Sequence, residues 1–517
     1  MIRNSAIESN DANRSVYRRL FLQLSIFILV FKCILAFSIE LGNDEAYYWL
    51  YSQYWQWNYF DHPPMVALWI RIFTGNLLLD SIEGFVRLGS IVGSILASWF
   101  LFRAVALLYS EKAGWYAALM YHASFYAGIT AGLYILPDSP QMVFWTLSLW
   151  AIARITKEDS WQNWSFFGLA AGITIMCKVH GAFLWLGMGV YLIFFRTSWL
   201  KSPKPYVALL LTVIICSPIF IWNLQNNFAT WRFHSNRVVV QSMSINLYSF
   251  LMQFGSQLGF NNPVNVFLIV YAFFFFRKKK QKMPEAIRVY VLAGVPLLLS
   301  LLVISLFRTT TLPHWSGPAY VSLIPAGAIG LAGRNDLRFP PILKLAAAIF
   351  LTCYIGWTLT LFWYPGTYGD KSKERLGRGD ITLDMYGWTE AGKEFADLYR
   401  EDVAQGKMQP NTPLVTAHWW GAHIEYYFAR PIHAPFLGMG SPSDLHEYLW
   451  INQWRKDQSG SDAYCIVASD EPARIPSAFF GTMALAKIIE IKRMGKPAHN
   501  FFVYRLKGRI KELPVVK

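Results

Sequence analysis

Charge is scarce in this sequence, and acidic charge most of all. Only 15% of its 517 residues are Asp, Glu, Lys or Arg, while 54% are hydrophobic and 17% aromatic. An ordinary soluble domain carries about 25% charged residues, and a disordered chain lacks the apolar ones, so both classes are excluded. Cysteine is equally sparse. Of five, Cys33, Cys177, Cys216 and Cys353 lie inside apolar runs and Cys465 sits in a more polar region. No pair is offered for a disulfide framework, and a thiol mechanism or cysteine zinc site is disfavoured. With 47 Lys plus Arg against 32 Asp plus Glu, the net charge is +15. In a chain of mean hydropathy +0.29, that excess points to basic loops held at an anionic membrane face and away from nucleic acid. Internal symmetry between the two halves is also missing, which weighs against a polyprenyl-lipid or solute transporter built from inverted repeats.

What the chain has is apolar runs. A spanning helix needs about 20 mostly apolar residues, and roughly eleven such stretches occur, centred near Ile28, Ser94, Leu119, Thr146, Ile173, Leu186, Leu211, Ile269, Leu301, Ile324 and Ile349. The first follows Arg14, Arg18 and Arg19 and continues without a small-residue cleavage signal, so it reads as a retained anchor with a cytoplasmic N-terminus. Alternating from there, the even connections carry Lys112, then Arg154 and Lys157, then Arg196, Lys201 and Lys204, then Arg277 through Lys282, then Arg334 and Arg338. The odd connections are poorer in Lys and Arg, the asymmetry expected when the basic loops stay inside.

An odd number of spans puts everything after Trp363 outside. The predicted division is a membrane domain over 1–363 and an extracytoplasmic domain over 364–517. The tail is polar and turn-rich, with β-type runs at Pro413 to Ala417, Ala463 to Ala468 and Phe501 to Tyr504, and helix-like stretches at Ala422 to Phe428 and Ser443 to Trp454. The pattern predicts a small α/β domain below a polytopic α-helical membrane protein.

The ionisable residues of the predicted outer connections fall on one side: Asp44, Glu45, Asp61 and His62, then Asp138, then Lys178 and His180, then Arg308 and His314. Charged groups near membrane depth are costly, so this grouping predicts a polar cavity opening outward. Each has a plainer reading. Asp44 and Glu45 suit a helix start, Asp138 with Pro140 suits an N-cap, and Arg308 suits the headgroup level. Lys178 interrupts an apolar run and calls for an anionic partner, whether Asp44, Asp61, Asp138 or a ligand.

The motifs Asp44-Glu45-Ala-Tyr-Tyr-Trp49, Tyr59-Phe-Asp-His-Pro-Pro-Met65, Leu136-Pro-Asp-Ser-Pro140, Lys178-Val-His180 and His314-Trp-Ser-Gly-Pro318 together resemble the bacterial branch of the dolichyl-phosphate-mannose protein mannosyltransferase-like family. That branch includes aminoarabinose transferases acting on lipid A. The resemblance implies a membrane-embedded, type C, inverting glycosyltransferase of the cell inner membrane. Its donor would be a polyprenyl (undecaprenyl) phosphate sugar, and its acceptor lipid A, another envelope glycolipid or a protein hydroxyl.

By the same resemblance Asp44 is the candidate base, Glu45 either orients it or serves an adjacent polar contact, and Asp138 faces it and helps bind sugar or metal. Lys178, His180, Arg308 and His314 are candidate ligands of the donor phosphate, and Asp61 and His62 are substrate or metal contacts. Asp44, Asp61, His62 and Asp138 suit a divalent ion, but no His-x-x-x-His spacing supports zinc, so a metal cofactor is left open. The connection from Asn223 to Asn262, with Trp231, Arg232, His234 and Arg237, is either a cover for the cavity or interfacial structure. The basic stretch Lys371 to Arg378 reads as a contact with solvent or membrane lipids, and Asp384-Met-Tyr-Gly-Trp388 resembles the element that opens the family's soluble domain.

Overall fold

A computed structural model describes residues 2–239, 244–278, 282–309, 311–333, 339–455 and 461–516, with side chains from 16 onward. Arg334, Arg338 and most of the basic run between Arg277 and Lys282 lie outside the described residues, as do the side chain of Arg14 and the middle residue of the Thr309 to Thr311 run. By its contacts the chain splits into two units, one formed by Met1–Phe37 and Trp55–Thr352, the other by Ser38–Tyr54 and Cys353–Lys517.

The helices, in chain order, are α1 (Ile2–Ala36), α2 (Asn43–Gln53), α3 (Met65–Phe73), α4 (Glu83–Leu108), α5 (Glu111–Ala123), α6 (Asp138–Lys157), α7 (Trp161–Cys177), α8 (Ala182–Phe195), α9 (Lys204–Gln225), α10 (Ala229–Val238), α11 (Leu247–Phe260), α12 (Pro263–Lys278), α13 (Glu285–Ser305), α14 (Gly317–Ala332), α15 (Pro341–Trp363) and α16 (Trp388–Ala404). Every one of the eleven expected centres falls inside one of them. Among the described residues, five helices are long and apolar enough to cross a membrane by length and composition, or six when α11 and α12, bent 93° at their junction, count as one. The chain is a multi-pass membrane protein.

The count by that criterion is lower than eleven because α5, α7, α8 and α14 are short, at 13, 17, 14 and 16 residues, while α6 is long enough at 20 but less apolar. Helices such as α6 and α14 lie inside the bundle, where neighbouring helices and not lipid cover them, so they tolerate small and polar residues. All of Gly317 to Leu331 is buried. In α6 the hydroxyls of Thr146 and Ser148 bond back to the carbonyls of Met142 and Phe144, each at 2.8 Å, which satisfies them without an outside partner. Small residues set the spacing. A Cβ on Gly168 would stand 2.3 Å from the Ala208 carbonyl oxygen, and one on Gly187 2.5 Å from the Ala293 nitrogen, so α7 against α9 and α8 against α13 pack backbone to backbone.

Ion pairs tie the basic ends of this bundle together. Arg18 meets Glu111 at 2.7 Å, Lys204 meets Asp159 at 3.1 Å and Arg196 meets Glu285 at 2.5 Å. Helix α6 has 20 residues, about 30 Å at 1.5 Å per residue, so Asp138 at its start lies at the opposite end from Lys157 at its finish. The acidic, lysine and histidine candidates of the bundle share that opposite end.

The second unit is an α/β domain. Its five-stranded sheet has the order β2-β1-β3-β5-β4, with β1 (Leu414–Thr416), β2 (Phe436–Gly438), β3 (Ala463–Ala468), β4 (Phe480–Arg493) and β5 (Lys496–Arg509). Strand β1 pairs parallel to β2 and β3, and β5 pairs antiparallel to β3 and β4. The β4–β5 hairpin turns on Met494 at φ 50° and Gly495 at φ 75°, the left-handed pair that matches strand twist in a two-residue loop. Helix α16 opens on Glu40, whose carboxylate accepts the N–H groups of Trp388 (2.9 Å) and Thr389 (2.7 Å), a charged cap favoured by the helix dipole.

Candidate functional site

The site in the bundle is built around one buried ion pair. Asp138 begins α6 just after Leu136-Pro137, and Lys178 follows the last residue of α7 in an extended conformation before a 3₁₀ turn, Val179–Gly181, leads into α8. Gly181 makes this break possible, because a Cβ there would lie 2.7 Å from the Ile175 nitrogen. Lys178 Nζ donates to Asp138 Oδ2 at 2.8 Å, and the Tyr126 hydroxyl donates to Asp138 Oδ1 at 2.9 Å. Asp138 is 2% exposed and Lys178 5%.

The aspartate is thus satisfied on both oxygens, while the ammonium is not. Of its three N–H donors, one has a partner among the described residues. A buried cation with open donors is an anion site in search of its anion.

Imidazoles surround it. His62 lies in the loop before α3, His234 on α10 and His314 in the 3₁₀ turn Pro313–Ser316 before α14. Burial, then the Lys178 ammonium, pushes the His62 ring down to about 3. The same two causes, opposed by Asp138, hold His314 at about 4. Burial, then His62, holds His234 at about 4. All three are neutral at pH 7. His180 adds a buried Nδ1 with no hydrogen-bond partner among the described residues, its ring 6.3 Å from that of Trp315.

Helix α10, from the connection between Asn223 and Asn262, closes one side. His234 Nε2 lies 2.7 Å from the Asp61 carbonyl oxygen, Asn58 donates to the Thr230 hydroxyl at 2.9 Å, and Phe60 packs on Phe233 at 4.8 Å. Arg237 sits over the Trp315 ring at 4.9 Å and contributes to lowering His62 and His314. Arg308 donates to the carbonyls of Asn236 (2.6 Å) and Arg237 (3.4 Å), so it caps the C-terminus of α10, where a cation is favoured by the helix dipole.

The second unit gathers carboxylates. Asp44 and Glu45 open α2, and Glu45 Oε2 accepts the Gly42 N–H at 2.9 Å, the returning half of a capping box. The Asn43 N–H reaches Asp384 at 3.1 and 3.3 Å, and its side-chain amide donates to Glu471 at 2.9 Å. Burial, then the neighbouring Asp44, pushes the Asp384 carboxyl up to about 8.

The structure therefore brings Asp61, His62, Asp138, Lys178, His180 and His314 to one end of the bundle, and sets Asp44 and Glu45 among Asp384 and Glu471 in the other unit. Among the described residues no three His, Cys, Asp or Glu side chains form a metal-holding group. The oxygens of Asp138 are already taken by Lys178 and Tyr126, which is a poor fit to a cation. Sequence reasoning missed Tyr126, which carries no local signal.

Residues 61–222 match the family model for dolichyl-phosphate-mannose-protein mannosyltransferase, a span holding Asp61, His62, Asp138, Lys178 and His180. A lipid A galacturonosyltransferase, RgtD, of Rhizobium johnstonii is 24% identical over 306 residues. That alignment covers 59% of this chain and 63% of the relative, so the chain spans less than two thirds of its length. Among solved structures, ArnT from Cupriavidus metallidurans bound to undecaprenyl phosphate superposes with a TM-score of 0.62 at 14% identity, covering 95% of this chain and 98% of that one. Its apo state gives the same TM-score at 13% identity. The family resemblance carried by the motifs is thus borne out: residues 61–222 bear the dolichyl-phosphate-mannose protein mannosyltransferase signature, in a chain that takes the fold of ArnT.

Proposed function

We propose that this protein is an inverting glycosyltransferase that moves a sugar from a polyprenyl phosphate, such as undecaprenyl phosphate, to lipid A or another envelope glycolipid. The reading rests on Lys178, a buried ammonium with one of its three N–H donors engaged, ringed by neutral imidazoles. The relative's activity on lipid A supports the acceptor class. The protein lies in the inner membrane with its N-terminus cytoplasmic, the transferase domain over 1–363 and a periplasmic domain over 364–517. The basic ends of the bundle then face the cytoplasm and the site faces outward.

In this reading Lys178 and Arg237 hold the donor phosphate, and His180 and His314 hydrogen-bond it as neutral donors. Asp138, fixed by Tyr126, keeps the ammonium in place. An acceptor hydroxyl attacks the anomeric carbon from the face opposite the phosphate. The carbon–oxygen bond to phosphate breaks, the polyprenyl phosphate leaves with the electron pair, and Asp44 takes the hydroxyl proton, with Glu45 shaping the turn that presents it. Asp61 and His62 contact the sugar, and Arg308 acts through α10.

Mass spectrometry of envelope lipids and glycoproteins tests this in cells carrying the wild type, no protein, Asp44→Asn or Lys178→Ala at equal membrane levels. A sugar-sized mass on lipid A with the wild type and not with the variants is expected. The same mass on a protein would move the acceptor to a protein hydroxyl, and no change in any pool would overturn the transferase reading.

A further inference from the structure

A second buried lysine in the bundle takes no part in the scheme above. Lys32, one turn from the end of α1, is 2% exposed. Its ammonium donates to the Ser94 hydroxyl on α4 at 3.1 Å and to the Gly132 carbonyl at 2.9 Å. Both partners are neutral. Among the described residues Lys32 meets no carboxylate, and the third of its N–H donors has no acceptor. The seat is shaped for the amine: a Cβ on Gly132 would stand 2.6 Å from Lys32 Nζ and 2.3 Å from the Ala127 carbonyl oxygen, so any side chain there would displace it.

Further polar groups around the ammonium have nothing to bond. The His122 ring, at the end of α5 and within electrostatic reach of the Lys32 charge, is buried, and among the described residues neither of its nitrogens has a hydrogen-bond partner. The Ser90 hydroxyl, one turn before Ser94 on the same face of α4, is buried and unbonded in the same sense. Protein interiors seldom leave such groups unsatisfied, and an ammonium without a counter-charge least of all. One guest answers all three, an oxyanion that accepts from ammonium, imidazole and hydroxyl together.

The place lies level with the Asp138–Lys178 pair. A Cβ on Gly93 would come 3.7 Å from the Ser139 carbonyl oxygen, which sets the neighbouring Ser94 beside the first turn of α6, where Asp138 holds Lys178. One short segment joins the two cations. The π-helical turn Tyr126–Thr130 opens on Tyr126, which bonds Asp138, and just past its end Gly132 receives Lys32. Such wide turns are uncommon and recur at functional sites.

We infer that Lys32 binds a second negative charge of the donor, a carboxylate or phosphate group carried by the sugar that is transferred. The inference rests on the transferase reading above, in which Lys178 takes the donor phosphate and Lys32 is left for the charge of the sugar itself. A neutral hexose leaves the ammonium without its anion, and an amino sugar brings another cation against it.

The test measures direct binding to the full chain in detergent of four probes: farnesyl phosphate, and farnesyl phosphate carrying galactose, galacturonate or galactose 6-phosphate. The wild type should bind one of the two acidic probes roughly tenfold or more tighter than the galactose probe, the effect of one charge-assisted contact, and which one gains tells carboxylate from phosphate. Lys32→Met should bring the acidic probes to the affinity of the galactose probe, with Lys32→Gln as a second neutral variant should Lys32→Met fail to fold. Lys178→Met with Asp138→Asn should instead weaken all four probes alike. The two readings therefore fail separately. Wild-type binding of farnesyl phosphate with no preference for an acidic sugar, or a preference that survives in the neutral Lys32 variants, would overturn this inference and leave the transferase reading standing. No binding of any probe by the wild type would overturn both.

Discussion

Lys178 and Arg493 are both nearly inaccessible cations, each facing one aspartate at 2.8 Å, yet their surroundings are opposite. Arg493 in the second unit donates to Asp380, to the Thr382 hydroxyl at 2.7 Å, to the Gly366 carbonyl at 2.9 Å and to the Leu361 carbonyl at 3.3 Å. Asp380 in turn accepts from Thr367 at 2.8 Å and from the Thr382 hydroxyl at 2.5 Å. Nearly every donor is spent inside the protein. Lys178 in the bundle spends one of three, among imidazoles that its own charge helps to keep neutral. Burial of a charged pair is therefore no sign of function by itself; what separates a structural pair from a binding one is whether the cation's donors are closed by protein.

The comparison breaks most visibly at Arg493. Arg493→Met removes the guanidinium that pairs with Asp380 and donates to the Gly366 and Leu361 carbonyls, and removing one partner of a buried pair costs about 3–5 kcal/mol. Thermal or denaturant unfolding of the purified protein should show that loss, while transfer per folded molecule stays at the wild-type level. Lys178→Met should do the reverse when paired with Asp138→Asn, which spares the fold an unpaired charge. Transfer should drop by about 10²–10³-fold, the usual effect of removing one electrostatic stabiliser, with unfolding shifted far less than in Arg493→Met.

A third variant sharpens the contrast between a cation-rich site and a carboxylate-rich one. Asp384 titrates near 8 in the fold against an ordinary 3.8, so the folded state holds a proton that the unfolded chain releases. Stability from this group is present below about pH 4 and is lost as pH rises toward 8. Unfolding temperatures at pH 5 and pH 8.5 should differ in the wild type, and Asp384→Asn should flatten that difference. The smallest effect is expected at Tyr126, where Tyr126→Phe removes one hydrogen bond to Asp138. A neutral-to-charged bond of this kind is worth about 1.5–3 kcal/mol at most, and steady-state kinetics should show a modest fall in kcat with donor KM nearly unchanged.

Much of this was legible because membrane burial penalises exceptions. A lysine in an apolar run, Lys178, and a carboxylate at a helix start, Asp138, stand out for that reason, and the eleven apolar centres all became helices. The tail's β1 and β3 were legible from β-branched and apolar runs. Strand β4 was not, since most of Phe480 to Ile488 is exposed or half-exposed and lacks the alternation of a one-sided strand. Tyr126 and the grouping of Asn43 with Asp384, 341 residues apart, were not legible because no local pattern records which distant side chain a residue will meet. Arg308 was visible as a charge, but its capping of α10 depends on a chain crossing that spacing does not encode.

The most direct measurement of the central claim is binding of undecaprenyl phosphate to the full chain in detergent, by native mass spectrometry, for the wild type and for Lys178→Met with Asp138→Asn. An open-donor ammonium at the donor site predicts stoichiometric binding to the wild type and a fall of roughly tenfold or more in the double variant. Equal binding by the two, with both proteins folded, would contradict it.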